Sequence, residues 1–389
     1  MVNVSLFSQI LDQLPRNLFQ KLVHKHDSDK YSKGINSWTH FVSMIFCHLG
    51  QVGSLRDISN GLRSITGNIN HLGCKRSPSK SSLSYINQER GSELFKEYYF
   101  ELLNHFEHMF RRFRVKLLKL RRKVFLMDAT IIPLCLSVFD WAKFRQRKGA
   151  LKIHMVLDYD GCLPTFVDLT KGSTHEVTVA RKIDFPKGSV LVFDRGYIDF
   201  EWLYKLTLND VFFVTRAKDN MNYKVQSRNG IHSDDRYWLK RDWIISLEGF
   251  YSSSNYPIVL RLVKMIDPQT KQELSFLTNN LNWTAKTVCE IYKERWRIEV
   301  FFKHIKQHLK IKSFVGTSEN AVQIQIWTAL ITMLLLQVLQ KAAKFNWNLS
   351  NLVAFIRLNL FVKIDLGEWL HNPFKQNNSP PPPTIATLF

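Results

Sequence analysis

Two four-residue runs without a polar side chain constrain this fold more than any other feature. Val124-Phe125-Leu126-Met127 runs into Asp128, and Val190-Leu191-Val192-Phe193 runs into Asp194. Short, wholly apolar runs closed by a polar residue suit buried strands inside a sheet. Leu151 to Tyr159 and Cys162 to Thr170 flank Asp160-Gly161, a dipeptide that favours a hairpin turn. His175 to Ile183 and Phe200 to Leu208 read as helices, and Val211 to Thr215 as a further strand. The order is strand, hairpin strands, helix, strand, helix, strand. It predicts a mixed α/β core in which an antiparallel meander leads into parallel crossovers.

The flanks have a different texture. Residues 1–110 read as helical, with apolar positions Phe7, Ile10, Leu11, Leu14, Leu18 and Leu22 at spacings of three and four, interrupted by Pro15. Trp38 to Leu49 looks like a buried helix, and Ser54 is a plausible cap for the helix after it. Gly73 to Leu83 is a basic, serine-rich turn between helices. That pattern is compatible with a helix-turn-helix reader, although plain helix connectors are commoner. Arg111 to Lys123 alternates cations with apolar residues, which suits a solvated helix face and a phosphate-binding strip equally well. Residues 219–283 read as a small β-rich insertion, with turn signals at Asn229-Gly230 and Asp267-Pro268. A long helix from about Ala285 to Ile311 follows, then an apolar one from Ala321 to Ala343. Asn351 to Phe361 is a further helix, with Ser350 as its expected cap. The predicted division is 1–110, 111–218, 219–283, 284–345, 346–376 and a disordered Pro-rich tail at 377–389.

Composition narrows the function. The 389 residues carry 54 Lys+Arg against 33 Asp+Glu, a net charge of +21, which points to a polyanionic partner, most simply nucleic acid. A hydrophobic fraction of 45% excludes a mostly disordered chain. Cys47, Cys74, Cys135, Cys162 and Cys289 are scattered without a C-x-x-C pair, which excludes a disulfide scaffold and argues against structural zinc. The N-terminus lacks a secretory pattern, and the longest mostly apolar stretch, Ile326 to Leu336, is short of the ~20 residues that span a bilayer. A soluble cytoplasmic protein with no membrane partner is expected.

Asp128 and Asp194 could form half of a hard-cation site if their strands are neighbours. Either one alone is more simply a turn residue after a strand. The late helix strengthens the case. On a continuous helix, Tyr292, Arg295, Glu299 and Lys306 project near about 0°, −60°, −20° and −40°, a single stripe. A carboxylate there could complete a metal site, and the cations could grip phosphates. A surface face held by i,i+4 pairs is the plainer alternative, worth only tenths of a kcal/mol per pair. The packed neighbours Trp296, Val300, Phe301, Phe302 and Ile305 weigh against it. His304 and His308 project to the far side of this helix and read as a solvated or partner-facing pair rather than zinc ligands.

These residues together resemble the DDE transposases of bacterial insertion sequences. The resemblance is to the IS-four-like group marked by a Tyr-x2-Arg-x3-Glu-x6-Lys signature, here Tyr292, Arg295, Glu299 and Lys306. Asp128-Ala129-Thr130 and Asp194-Arg195-Gly196-Tyr197 match the blocks around that family's first two acids. Trp141 to Arg145, Lys148 to His154, Leu277 to Asn280 and Ser54 to Asp57 are similar as well. The residue after His175 is Glu176, where Asp is the commoner choice in that family.

The resemblance implies a ribonuclease-H-like mixed-sheet core with a β-rich insertion, a helical DNA-binding domain before it and helices after it. It implies that Asp128, Asp194 and Glu299 are the catalytic acids and hold two Mg²⁺ ions, with Mn²⁺ able to substitute. Tyr292, Arg295 and Lys306 would bind DNA phosphates. The partners would be double-stranded DNA, as transposon ends and target, and a second copy of the chain in a synaptic dimer. The implied route is cut-and-paste through a hairpin at the transposon end. The alternative is a catalytically inactive, transposase-derived DNA-binding repressor. Some relatives hold an extruded base on an insertion-domain tryptophan. Here Leu274-Ser275-Phe276 stands in that stretch, leaving Phe276, Tyr256 or Trp283 as candidates.

Overall fold

The computed structural model describes residues 3–374 except 31, 33, 66–68, 113–119, 121, 135–138, 140, 142, 146, 147, 310 and 312. Most of the basic Arg111–Lys123 block and the Pro-rich tail lie outside the described residues.

The N-terminal third is helical: α1 Leu6–Leu11, α2 Arg16–Lys25, α3 Ser37–Leu49, α4 Leu55–Arg63, α5 Lys80–Glu89 and α6 Glu93–Arg112. Local chemistry explains where these helices start. Ser5, Asn36, Ser54 and Ser79 each accept a hydrogen bond from the backbone N–H three residues on, which satisfies one of the unpaired first-turn donors. Pro15 separates α1 from α2, as expected.

Ten strands form one sheet: β1 Val124–Leu134, β2 Lys143–Arg145, β3 Lys148–Asp158, β4 Leu163–Lys171, β5 Val190–Phe193, β6 Phe212–Arg216, β7 Tyr223–Arg228, β8 Leu239–Leu247, β9 Leu260–Ile266 and β10 Glu273–Thr278. The order is β2-β3-β1-β5-β6-β10-β9-β8-β7, with β4 also on β3. β5 is parallel to both β1 and β6, and the other pairings are antiparallel. The remaining helices are α7 Glu176–Ala180, α8 Phe200–Leu208, α9 Phe250–Asn255, α10 Ala285–Lys293, α11 Trp296–His308, α12 Glu319–Ala342, α13 Leu349–Asn359 and α14 Leu366–His371.

Alternation divides the sheet into two faces. Val124, Leu126, Val190, Val192 and Val214 face a core shared with α10, α11, α12 and the N-terminal helices. Phe125, Met127, Leu191, Phe193 and Phe213 face a second core with α8. α3 is buried along all 13 of its residues. Its two histidines are held by partners on other helices: His40 Nε2 meets Asn87 Oδ1 at 2.7 Å and His48 Nε2 meets Thr328 Oγ1 at 3.0 Å. Burial pulls both imidazoles down to about 3, so they stay neutral. α12 is long and apolar enough to cross a membrane, yet 94% of its apolar window is buried inside the protein.

The β-rich stretch after residue 219 forms β7 to β10 and joins the main sheet, since β10 pairs with β6 from Phe276↔Arg216 to Thr278↔Val214. Four expectations need correction. β1 does not end at Asp128; it continues to Leu134 because β3 extends beyond it, pairing Leu134 with Gly149. Asn229-Gly230 does not make a tight turn; residues 229–238 connect β7 to β8 and include a short 3₁₀ turn at Ser233–Asp235. The helix expected from Ala285 to Ile311 breaks at Glu294–Arg295 into α10 and α11. Asn348, not Ser350, caps α13: its side chain accepts from the Ser350 N–H at 2.9 Å.

Candidate active site

Strand register brings the two aspartates together. Met127 pairs with Phe193 in the parallel β1–β5 ladder, so Asp128 and Asp194 are the next residues at the same level. This is the carboxyl end of β5, where the backbone leaves the sheet and a ligand can approach. Asp194 caps the 3₁₀ turn Arg195–Tyr197, its Oδ1 accepting from the Gly196 N–H at 3.0 Å. Gly196 leaves room beside both acids: a Cβ would stand 3.2 Å from Glu176 Oε2 and 3.6 Å from Asp194 Oδ1.

The break between α10 and α11 sets up the other half of the site. Arg295 stands at the break, with Arg297 Nε donating to Glu294 Oε2 across it at 2.6 Å. From there the Arg295 guanidinium reaches both acids on its side. Nη1 donates to Asp128 Oδ2 at 3.0 Å, and Nη2 donates to Glu299 Oε1. Arg295 also lies 5.7 Å from the Tyr292 ring centre, and that ring packs on Phe276 at 4.7 Å. Lys306, nearly three turns along from Arg295, donates to Thr130 Oγ1 and to the Ile131 carbonyl at 3.1 Å.

The structure therefore joins Asp128, Arg295 and Glu299 by direct contact. Tyr292 supports the arginine, and Lys306 is tethered to β1 two residues beyond Asp128. Asp194 opens onto a neighbouring depression of about 480 Å³ with Arg195, Lys218 and Asp219, whereas Asp128, Thr130, Glu299, Lys303 and Lys306 line one of about 490 Å³.

The carboxylates feel each other. Burial pushes Asp128 up to about 6; the Ala129 N–H and Arg295 pull it back, while Asp194 and Glu299 push it further up. Burial also raises the Tyr292 phenol, which stays protonated near neutral pH. The donor set is all carboxylate oxygen, the chemistry that suits a hard divalent cation. Among the described residues no three potential ligands are drawn close enough to enclose an ion. Arg295 stands between two of them and supplies the positive charge. The residues fit such a cation in kind, while Arg295 here occupies one oxygen each of Asp128 and Glu299.

Other expected features moved. His304 and His308 are both half-buried: their rings stack 5.5 Å apart, and His308 Nε2 hydrogen-bonds Ser350 Oγ of α13 at 2.9 Å. Phe276 and Tyr256 are core residues, 2% and 1% exposed, and Trp283 packs on Phe212. The exposed aromatic beside the site is Trp296, 64% exposed and adjacent to Arg295. Sequence reasoning also missed Tyr197 as a neighbour of Asp194 and Lys152 as the partner of Glu176. Glu176 was noticed only as an unusual residue after His175.

The transposase DDE domain family matches residues 119–335, a stretch containing every residue of this cluster. The chain belongs to the DDE transposases of insertion sequences. A domain family of unknown function matches residues 2–75, the first part of the helical region of this transposase. A protein named as a transposase in Sinorhizobium fredii is 32% identical over 75% of this chain and 80% of its own length. Another, named as a transposase for an insertion sequence element of Geobacillus stearothermophilus, is 28% identical over 59% of this chain and 60% of its own. A solved piggyBac transposase synaptic complex with hairpin DNA aligns with 91% of this transposase and 77% of its own chain. Its TM-score is 0.39 with 9% identity, too distant to carry an argument.

Proposed function

We propose that this transposase binds the terminal inverted repeats of its own element and moves it by cut-and-paste, using a ribonuclease-H-like core. Asp128, Asp194 and Glu299 are the catalytic acids of this reading. The observation that carries it is the level placement of Asp128 and Asp194 on adjacent parallel strands, with Glu299 linked to Asp128 through Arg295. Two Mg²⁺ ions held by these three carboxylates would activate the attacking oxygen and stabilise the leaving one. Tyr292, Arg295 and Lys306 position DNA phosphates beside the acids, and the planar guanidinium suits a phosphate as well as it suits the carboxylates it now touches. When DNA arrives, Arg295 exchanges carboxylate for phosphate, which frees Asp128 and Glu299 for the cations.

The remaining parts follow the same reading. The helical region 1–110 recognises the DNA ends, and the net charge of +21 favours DNA in general. The core comprises 111–218 and 284–345 with residues 219–283 inserted, and 346–376 forms a C-terminal helical segment. Two copies act together in the synapse, in the cytoplasm and at the nucleoid. The spacing of Tyr292, Arg295, Glu299 and Lys306 supports membership in the Tyr-Arg-Glu-Lys group.

The test is cleavage of duplexes carrying the element's own ends. Nicking should require Mg²⁺ or Mn²⁺. Ca²⁺, larger and less demanding in geometry, should permit binding without cleavage. Robust cleavage in EDTA contradicts the proposal.

A further inference from the structure

A fourth carboxylate reaches the candidate site from the opposite face of the sheet. Glu176 begins α7, which packs on the 3₁₀ turn after Asp194. Its two oxygens have different neighbours. Oε1 accepts from Lys152 Nζ at 3.2 Å, and that ammonium also donates to the Thr174 carbonyl at 2.8 Å. Oε2 points the other way: it and Asp194 Oδ1 flank the same point above Gly196, at 3.2 and 3.6 Å. Lys152 is 7% exposed and sits on β3, whose neighbour β1 carries Asp128.

An independent feature converges on the same place. Tyr197 is 2% exposed, and its hydroxyl has no hydrogen-bond partner among the described residues. A buried hydroxyl left unpaired costs free energy that a partner would recover. Burial first, then the charges of Asp128, Glu176 and Asp194, push this phenol well above its ordinary value. The Tyr197 hydroxyl can therefore act only as a donor or neutral acceptor, and the charged groups it feels are the carboxylates of Asp128, Glu176 and Asp194.

We infer that Glu176 and Tyr197 form an outer layer behind Asp128 and Asp194 that positions these acids and the water of a cation bound to them, with Lys152 fixing Glu176. Glu176 Oε2 accepts a hydrogen bond from a water on the cation, and Tyr197 donates to a carboxylate oxygen. Both are positioning residues. Outer partners of this kind orient ligands and set metal affinity. The layer gives the buried Lys152 and its half-buried partner Glu176 a role on the far side of the sheet. It also explains why Gly196 leaves open the gap between two acids.

The inference rests on the cation reading of the acid cluster, and the experiment separates the two. The full chain, saturated with a duplex carrying the element's own ends, is titrated with Mn²⁺, and free Mn²⁺ is read by electron paramagnetic resonance against the duplex alone. Glu176→Gln and Tyr197→Phe should each weaken Mn²⁺ binding about 10-fold or more, with Glu176→Asp recovering most of the loss. Glu201→Gln removes the same charge at an exposed residue paired with Lys205 and should leave affinity unchanged. Unchanged affinity in Glu176→Gln or in Tyr197→Phe overturns the role of that residue, while loss of binding in Asp194→Asn keeps the cation site itself. A wild-type chain that binds no Mn²⁺ overturns both readings. If Glu176→Gln fails to fold after losing its Lys152 contact, the near-isosteric Tyr197→Phe decides.

Discussion

Two arginines in this transposase hold carboxylates, and they do so in opposite ways. Arg261 on β9 pairs with Asp242 on β8 through Nε at 2.8 Å and Nη2 at 2.7 Å, and Nη1 donates to the Leu281 and Trp283 carbonyls. Both side chains are nearly sealed, 5% and 6% exposed. Arg295 divides its donors between Asp128 and Glu299, its Nε is buried without a partner among the described residues, and Glu299 is 32% exposed. The first guanidinium is saturated by one planar partner and two carbonyls, so little can replace them. The second bridges two acids that repel each other, leaves a donor unused and faces an open depression. Saturation marks Arg261 as structural, and the incomplete set around Arg295 suits an exchange of partners.

The comparison is broken most forcefully by removing acids. Asp128→Ala, Asp194→Ala and Glu299→Ala should each lower end cleavage on the order of 10⁴-fold, as loss of one member of a catalytic set does. End binding should persist or tighten, because a charge that repels DNA has gone. A variant that cuts at near-normal rate removes that residue from the set. Asp242→Asn should leave cleavage per folded molecule intact.

Stability separates the pairs next. Arg261→Ala leaves a buried carboxylate unpaired and should cost about 3–5 kcal/mol in denaturant unfolding. An Arg261→Met/Asp242→Leu double variant should cost much less than the two single changes summed, because no charge is stranded.

The pH dependence of Asp128 is a smaller effect with a definite sign. Burial holds its folded value at about 6 against an ordinary value of 3.8. Between those values the folded chain binds the proton that the unfolded chain has lost, so stability falls as pH rises from about 4 to about 6 and is flat above. Asp128→Asn should remove that slope and gain up to about 3 kcal/mol at pH 7, a figure that already includes the Arg295 contact. Unfolding midpoints at pH 4 and pH 7 for both proteins check this. The same slope in Asp128→Asn would assign it to another group.

Local chemistry accounts for what the sequence made legible. Ser54 caps α4 because a hydroxyl meets an N–H three residues away, and α8 begins and ends where its apolar periodicity does. The parallel strands and their acids were readable because β5 is an unbroken apolar run closed by Asp194. Asp128 was misplaced at a strand end because the length of β1 is set by β3, a partner that begins 20 residues after it. The break at Glu294–Arg295 contains neither Gly nor Pro, so no local signal announced it, and the four-residue stripe was drawn on a helix that is really two. The stripe still converges, because Arg295 at the break reaches back to Asp128. Glu176 and Tyr197 were missed for a plainer reason: α7 packs on the 3₁₀ turn at the carboxyl end of β5, a contact that no periodicity records.

Exchange of Arg295 for Ala should cost less stability than exchange of Arg261, because Asp128 and Glu299 keep 19% and 32% exposure where Asp242 keeps 6%. One pair of substitutions turns that difference into a direct test. Arg295→Lys and Arg261→Lys are prepared side by side, with unfolding free energy and cleavage of the element's ends measured on the same samples. A lysine supplies a point charge but not a planar fork. Arg295→Lys should keep its stability and lose most of its end processing, with hairpin formation and opening on pre-nicked and pre-hairpinned substrates suffering more than the first nick. Arg261→Lys should lose stability and keep its cleavage per folded molecule. Full end processing by a stable Arg295→Lys, or parallel loss of stability and cleavage in both variants, would contradict the distinction between a structural pair and an exchangeable one.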